Sequence, residues 1–292
     1  MEKPSSSESG RRWPFRRSSR PRRLRSVALL PTLITLGNGI CGMIAIFRIG
    51  MGLAEHNPRL FHGAAWLILA AMIFDALDGF VARLTKTASN FGAQLDSLCD
   101  LISFGVAPAF LVFGVSREIL QLSPVWERPV QVVCALYTMC ALIRLARFTV
   151  ETTPDEGSHR EFAGLPSPAA AGVVASAVLP APIFYRWMPE LAEGVTAALP
   201  GLVLACGILM VSRLRYAHVI NRVLRGRRPF VVLIEIALVA ALAVIVREFA
   251  FFLAFFGYAV TGPLTWLKRR LVRKPAGVVP LPGAPPRDGS AP

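Results

Sequence analysis

The sequence predicts an all-α fold, a polytopic bundle of helices that crosses a membrane many times. Hydrophobic residues make up 54% of the 292 residues and charged residues only 17%, whereas an ordinary soluble domain has about 25% charged residues. The apolar residues also lie in long runs, and a run of ~20 apolar residues can cross the hydrocarbon core of a bilayer. Because lipid offers the backbone no hydrogen-bond partner, such runs favour helices.

Eight apolar segments are each long enough to span a membrane. The first six belong to a predicted core, residues 26–215, and the last two form an additional helix pair within residues 216–270. Residues 1–25 are rich in Ser, Arg and Pro and predict a disordered basic arm, and the Pro- and Gly-rich residues 271–292 predict a disordered tail. The segments are 27–47, 60–82, 98–116, 129–147, 167–185, 194–211, 230–246 and 249–267.

The net charge of +14 raises the question of a nucleic-acid partner. Most cations lie in short clusters between apolar runs, with no basic face or known binding module, so no nucleic-acid partner is expected. With the N-terminus in the cytoplasm, 26 of the 32 Lys and Arg residues fall on the cytoplasmic side. Since cytoplasmic loops carry the excess of positive charge, this predicts a plasma-membrane protein with both termini, and residues 83–100, facing the cytoplasm.

Four aspartates carry most of the chemical information in the sequence. Asp75 and Asp78 are three residues apart, and Asp96 and Asp100 are four residues apart. Both spacings place two carboxylates on one face of a helix. A short polar break separates the two pairs, so two helices joined by it could bring all four carboxylates together.

Such a cluster predicts a site for divalent cations. A carboxylate at membrane depth costs about 3 kcal/mol on insertion scales, and four like charges would also repel one another. Hard oxygen ligands suit Mg²⁺ or Mn²⁺, and two such ions could clamp a diphosphate for an in-line displacement. Gly79 would let a ligand approach the helix backbone, and Arg83, one turn further on, could pair with phosphate oxygens.

Two features leave simpler interpretations open. The carboxylates could instead be satisfied by Arg83, Lys86, Arg144 and Arg147 in a plain helix pair. In the first segment, Gly37, Gly39 and Gly42 could serve close helix packing, or Gly39 could face a ligand together with Asn38.

The complete register, D-x2-D-G-x2-A-R-x8-G-x3-D-x3-D from Asp75 to Asp100, resembles the signature of the CDP-alcohol phosphatidyltransferases. The resemblance covers roughly residues 27–215, which would form the catalytic core of six helices. It implies a membrane enzyme, often a homodimer, that transfers a phosphatidyl group from a CDP-linked lipid to an alcohol with the help of Mg²⁺ or Mn²⁺, with its site at the cytoplasmic face.

The resemblance also implies roles for individual residues. Asp75, Asp78, Asp96 and Asp100 would hold the metal ions, and Asp100 would also be the general base. Gly79 and Arg83 would contact the CDP moiety. Ser89 matches a position that binds the nucleotide lipid in relatives, and Asn38 would do the same.

Three further stretches indicate the acceptor alcohol. They are similar to the branch of the family that joins CDP-diacylglycerol to L-serine, so these two molecules are the expected substrates. Arg144 and Arg147 could bind the lipid phosphate or the serine carboxylate, since Arg suits bidentate carboxylate recognition, or they could be ordinary flanking charges. The stretches are 31–42, 95–109, and 144–148 followed by 162–168.

Other functions remain possible from the residues alone. A sister enzyme could use glycerol 3-phosphate or inositol phosphate as the acceptor, although no extra cationic cluster lies within the motif. A transporter could place acids within the membrane, but repeated halves with interrupted helices are not evident. A membrane prenyltransferase would also use aspartates and Mg²⁺, but with two separate acidic motifs.

Overall fold

The computed structural model describes residues 23–85, 90–151, 164–214 and 247–272. Within these ranges every regular element is helical. Seven of the eight predicted segments are confirmed as helical stretches long and apolar enough to span a membrane, and the eighth, 230–246, lies outside the described residues. The spans are 31–54, 58–82, 91–120, 124–149, 167–187, 189–211 and 249–267.

The helices are numbered here in chain order, and a π-helical segment, Leu101–Val106, lies between the third and the fourth. The fifth span consists of two helices, α6 and α7, which are separated by a turn at residues 179–180. The helices are α1 (Arg23–Ala54), α2 (Pro58–Thr85), α3 (Asn90–Asp100), α4 (Ala107–Leu120), α5 (Pro124–Glu151), α6 (Ser167–Val178), α7 (Ala181–Trp187), α8 (Pro189–Val211) and α9 (Arg247–Val272).

Helix α6 lies at the centre of the bundle. All but one of its residues are buried, and they are almost entirely Ala, Val, Gly and Ser. A helix that is apolar on all sides must be surrounded by protein or lipid, and here α2, α4, α8 and α9 pack around it. Large apolar side chains of the outer helices, such as Leu33, Ile40 and Phe47 of α1, are exposed, as expected for a surface that faces lipid.

Close packing of α1 depends on its glycines. A Cβ atom at Gly37 would lie 3.0 Å from the Phe74 ring of α2, and one at Gly42 would lie 2.7 Å from Cα of Ser103. A Cβ atom at Gly39 would lie 2.9 Å from Sγ of Cys99. These contacts favour the packing interpretation of the three glycines, because each one faces a neighbouring helix of the same chain.

The chain leaves regular α-helical geometry directly after Asp100. In the π-helical segment the amide of Ala107 donates to the carbonyl of Ile102, five residues earlier. The hydroxyl of Tyr137 on α5 donates to the carbonyl of Phe104 over 2.9 Å, which satisfies a backbone group within the irregular turn. Such π-helical turns are rare and are often found at functional sites.

The segment before α6 is fixed to the end of α8. Gly164 has φ of +93°, a conformation that other residues rarely adopt. Its amide donates to the carbonyl of Leu214 over 2.9 Å, and the amide of Leu165 donates to the carbonyl of Leu209 over 3.0 Å. These bonds place the start of α6, including Ser167, at the same end of the bundle as the end of α8.

We predict that Gly42→Ala destabilises the protein and that Gly50→Ala does not. The new methyl group at position 42 would overlap Ser103, whereas nothing lies within 4 Å of the matching position at Gly50. Overpacking of this kind costs about 1–3 kcal/mol, while alanine is otherwise the better helix former. Thermal unfolding in detergent measures both changes, and equal midpoints for the two variants would contradict the packing described here.

Candidate active site

Three aspartates meet where α2 ends and α3 begins. Asp75 and Asp78 lie on one face of α2, and Asp96 lies on α3; residues 86–89, between the two helices, lie outside the described ranges. One carboxylate oxygen from each residue lies within 4.8 Å of the other two. The predicted meeting of the two acidic helix faces is therefore observed for these three side chains.

Several oxygen atoms of this cluster lack a hydrogen-bond donor. Within the described residues, Oδ2 of Asp78, Oδ1 of Asp96 and Oδ1 of Asn38 are buried and have no partner. None of the three aspartates forms a salt bridge with a described Lys or Arg side chain. A buried, unpaired carboxylate is costly, so the arrangement fits a hard divalent cation that these oxygens would bind.

Asp100 is not a member of the group of three and is held differently. It is 8% exposed, and Nδ2 of Asn38 donates to its Oδ1 over 2.9 Å. Asn38 is in turn fixed by its own backbone, since the Ser103 hydroxyl donates to its carbonyl over 2.9 Å. One carboxylate oxygen of Asp100 is thus anchored to α1, which leaves the other for a ligand.

Arg144 of α5 lies on the other side of the acidic residues. Its Nη1 donates to Oγ of Ser167 over 2.7 Å, so the two stretches 144–148 and 162–168 that the sequence singled out meet at this bond. Arg144 is close enough to Asp75 and Asp100 to attract both carboxylates. Arg147 lies three residues further along α5 and is partly exposed.

The remaining predicted residues are less fully described. Gly79 lies within α2, as the register predicted, and is partly buried. Arg83 also belongs to α2, but its side chain, like all of Ser89, lies outside what the structure describes. Their predicted contacts with the CDP moiety stay predictions.

Sequence reasoning did not single out three side chains that contact the site. Ser103 and Ser167 lie inside stretches that the sequence emphasised, but neither was assigned a partner. Thr35, three residues before Asn38 on α1, faces Asp78. The spacing of Thr35, Asn38 and Gly42 at i, i+3 and i+7 was the signal that could have identified this face of α1.

A cavity of about 610 Å³ lies at the opposite end of the bundle, where α2 begins and α4 ends. Its walls are mostly apolar, and His62 and Glu118 are among its few polar residues. It contains none of the four aspartates. Phosphoryl chemistry needs positioned charges, so the acidic cluster, and not this cavity, is the candidate active site.

The structure defines a bundle of membrane-spanning helices that holds a cluster of acidic side chains able to bind a divalent cation. The sequence profile of the CDP-alcohol phosphatidyltransferases matches residues 28–211, which include every residue of the site. The chain belongs to this family. Its membership argues against the transporter and prenyltransferase alternatives.

Similar proteins agree on one acceptor. The chain is 35% identical to the CDP-diacylglycerol–serine O-phosphatidyltransferase of Helicobacter pylori strain J99, over 82% of this chain and 91% of that one. It is 33% identical to the enzyme of the same name from Bacillus subtilis, over 65% of this chain and 90% of that one. It is also 33% identical to the archaetidylserine synthase of Methanothermobacter thermautotrophicus, over 68% and 73% of the two chains.

We predict that Asp78→Asn raises the stability of the metal-free protein and reduces the stability that the protein gains from Mn²⁺. Without divalent cations the substitution removes one of three mutually repelling charges and raises the thermal midpoint. With Mn²⁺ the wild-type protein gains stability by binding the ion, and the variant gains much less. Glu193→Gln, which neutralises an exposed carboxylate at the opposite end of the bundle, is the control and leaves the Mn²⁺ effect intact. An equal Mn²⁺ stabilisation of Asp78→Asn and wild type would count against the cation site.

Proposed function

We propose that the protein transfers the phosphatidyl group of CDP-diacylglycerol to the hydroxyl of L-serine, giving phosphatidylserine and CMP. The observation that carries this proposal is the group of three carboxylates near Asp100, of which Asp78 and Asp96 each have an unpaired buried oxygen. The names of the three relatives, which all specify a serine product or acceptor, support the choice of alcohol.

Asp75, Asp78, Asp96 and Asp100 would together hold two ions, Mg²⁺ or Mn²⁺. When bound, the ions would neutralise the diphosphate and stabilise the leaving CMP. Two observations support the assignment: one buried oxygen of Asp78 and one of Asp96 lack donors among the described residues, and carboxylate oxygens suit both metals. Asn38 Oδ1 is a further buried oxygen that faces no donor.

Asp100 would act as the general base. The bond from Asn38 fixes one of its oxygens, so the other could accept the proton of the serine hydroxyl as that hydroxyl oxygen forms a bond to the lipid-side phosphorus. The bond from this phosphorus to the CMP oxygen breaks in the same displacement. A base held by a second residue begins the reaction in the required orientation.

The substrates would occupy opposite sides of the acidic cluster. Gly79, Arg83, Ser89 and Asn38 would bind the nucleotide side of CDP-diacylglycerol, with the acyl chains between helices in lipid. Arg144 would bind the carboxylate of serine, because its guanidinium lies near Asp100 and is oriented by Ser167. Arg147 would add a second cation on the same helix.

The active site would face the cytoplasm of a plasma membrane. The excess of Lys and Arg on the side of residues 83–100 supports this orientation. We also propose a homodimer, in keeping with the family resemblance, which light scattering of the purified protein in detergent would test.

A single assay tests the function. Purified protein is incubated with CDP-diacylglycerol, Mg²⁺ or Mn²⁺ and one alcohol at a time, and CMP release is followed. CMP release that requires L-serine, with little release from glycerol 3-phosphate or inositol phosphate, is the expected result. Faster release with either phosphorylated alcohol would assign the protein to a sister activity of the family.

We predict that Asp100→Asn lowers kcat by about a thousandfold or more, since loss of a positioned base commonly costs 10²–10⁴-fold. The amide is nearly the same size as the carboxylate, so the variant should fold and keep the contact with Asn38. The control measurement is the Mn²⁺-dependent shift of the thermal midpoint, which Asp75, Asp78 and Asp96 should largely retain. A kcat within tenfold of wild type would reject Asp100 as the base.

A further inference from the structure

The last described helix, α9, is an integral part of the bundle although it lies outside the residues that match the family, 28–211. The Phe251 ring contacts the edge of Trp66 on α2, with 5.6 Å between ring centroids. Phe255 lies against Gly172 of α6, where a side-chain methyl group would collide with the ring. These two contacts fix the position of α9 along the bundle.

The contacts place Tyr258 at the depth of the acidic cluster. Helices α2 and α9 run in the same direction, since Phe249 meets Phe184 of α7 at the opposite end of the bundle. From Trp66, Asp75 is nine residues further along α2, about 13 Å, and from Phe251, Tyr258 is seven residues further along α9, about 10 Å. Tyr258 and Asp75 therefore differ in depth by less than one helical turn.

The face of α9 that carries Tyr258 is the face that points into the protein. Phe255 and Tyr258 are three residues apart and share a side of the helix, and the neighbouring Ala259 is 4% exposed. Helix α6 runs antiparallel to α9. On the side of the Phe255–Gly172 contact that is nearer the acidic cluster, α9 therefore carries Tyr258 and α6 carries Ser167.

Arg144 of α5 reaches α6 at this end of the bundle. Ser167 accepts a hydrogen bond from its Nη1, and Tyr258 and Arg144 lie within electrostatic range of one another. The guanidinium is thus bound to α6 and interacts with Tyr258 of α9 and with the carboxylate of Asp100. A planar guanidinium recognises a carboxylate well only when its orientation is fixed.

We propose that Tyr258, on a helix outside the family core, is a positioning residue that orients Arg144 to hold the carboxylate of a small α-amino-acid acceptor. The proposal rests on the proposed function and deepens it, since it assigns acceptor selectivity to the interactions of Arg144 with Ser167 of α6 and Tyr258 of α9. A helix added to the shared core would in this way select one alcohol among those that the family uses.

Tyr258→Phe tests the proposal, because it removes the hydroxyl and keeps the ring. We expect the KM for L-serine to rise about tenfold, because a charged group loses a polar neighbour, with the KM for CDP-diacylglycerol changed less than twofold. Serine methyl ester, which lacks the carboxylate, should react in the variant almost as in wild type. The preference for serine over its ester should therefore fall.

Tyr185→Phe is the matched control. It also removes one tyrosine hydroxyl, which lies 3.1 Å from Oγ1 of Thr196 at the opposite end of the bundle, and it should leave both KM values and the preference unchanged. If Tyr258→Phe does not fold, Tyr258→Trp, which keeps an aromatic ring and moves the polar atom, is judged by the same preference.

The outcomes separate this inference from the proposed function. An unchanged KM for serine in Tyr258→Phe, or equal losses with serine and its ester, would overturn the role of Tyr258 while serine-dependent CMP release by wild type leaves the function in place. Wild-type protein that releases no CMP with serine would instead reject the proposed function itself.

Discussion

The repulsion among three carboxylates inside a membrane bundle is the constraint on which the rest of the structure depends. Asp75, Asp78 and Asp96 lie close together, and Asp78 and Asp96 each have a buried oxygen that no described group satisfies. Arg144 offsets part of this charge, since it is close enough to attract Asp75 and Asp100. Divalent cations would offset the rest, and this links the fold to the proposed phosphoryl transfer.

The surrounding elements hold this unfavourable group in place. Glycines on α1 allow that helix to approach α3 and the π-helical segment closely enough for Asn38 to reach Asp100. Ser103, within the π-helical segment, holds the backbone of Asn38, while Tyr137 satisfies a carbonyl of the same segment. Packing contacts spread over the bundle thus hold together carboxylates that repel one another.

Much of this could be predicted from the sequence, because the relevant signals are local. Long apolar runs fixed seven spans, and the spacings within each aspartate pair fixed the helix faces of Asp75, Asp78 and Asp96. The third span differs in detail: apolar composition alone suggested a start near residue 98, whereas α3 begins at Asn90. The polar stretch around Asp96 extends this span beyond its apolar run, and a window that scores apolar residues does not detect such a stretch.

The contacts between distant segments could not be predicted in the same way. The bond from Asn38 to Asp100 joins residues 62 positions apart, and that from Arg144 to Ser167 joins residues 23 positions apart on two helices. Tyr258 gave no signal at all, since it is an isolated tyrosine in an apolar run and its depth depends on how α9 packs against α2 and α6. These contacts follow from helix packing, which periodicity within one segment does not encode.

An experimental structure with Mn²⁺ and CDP, recorded with the anomalous signal of manganese, tests the central claim most directly. The account predicts manganese peaks within bonding distance of the carboxylates of Asp75, Asp78 and Asp96, with the diphosphate of CDP bound to the same ions. Carboxylates that point into separate surroundings, with no manganese between them, would contradict it.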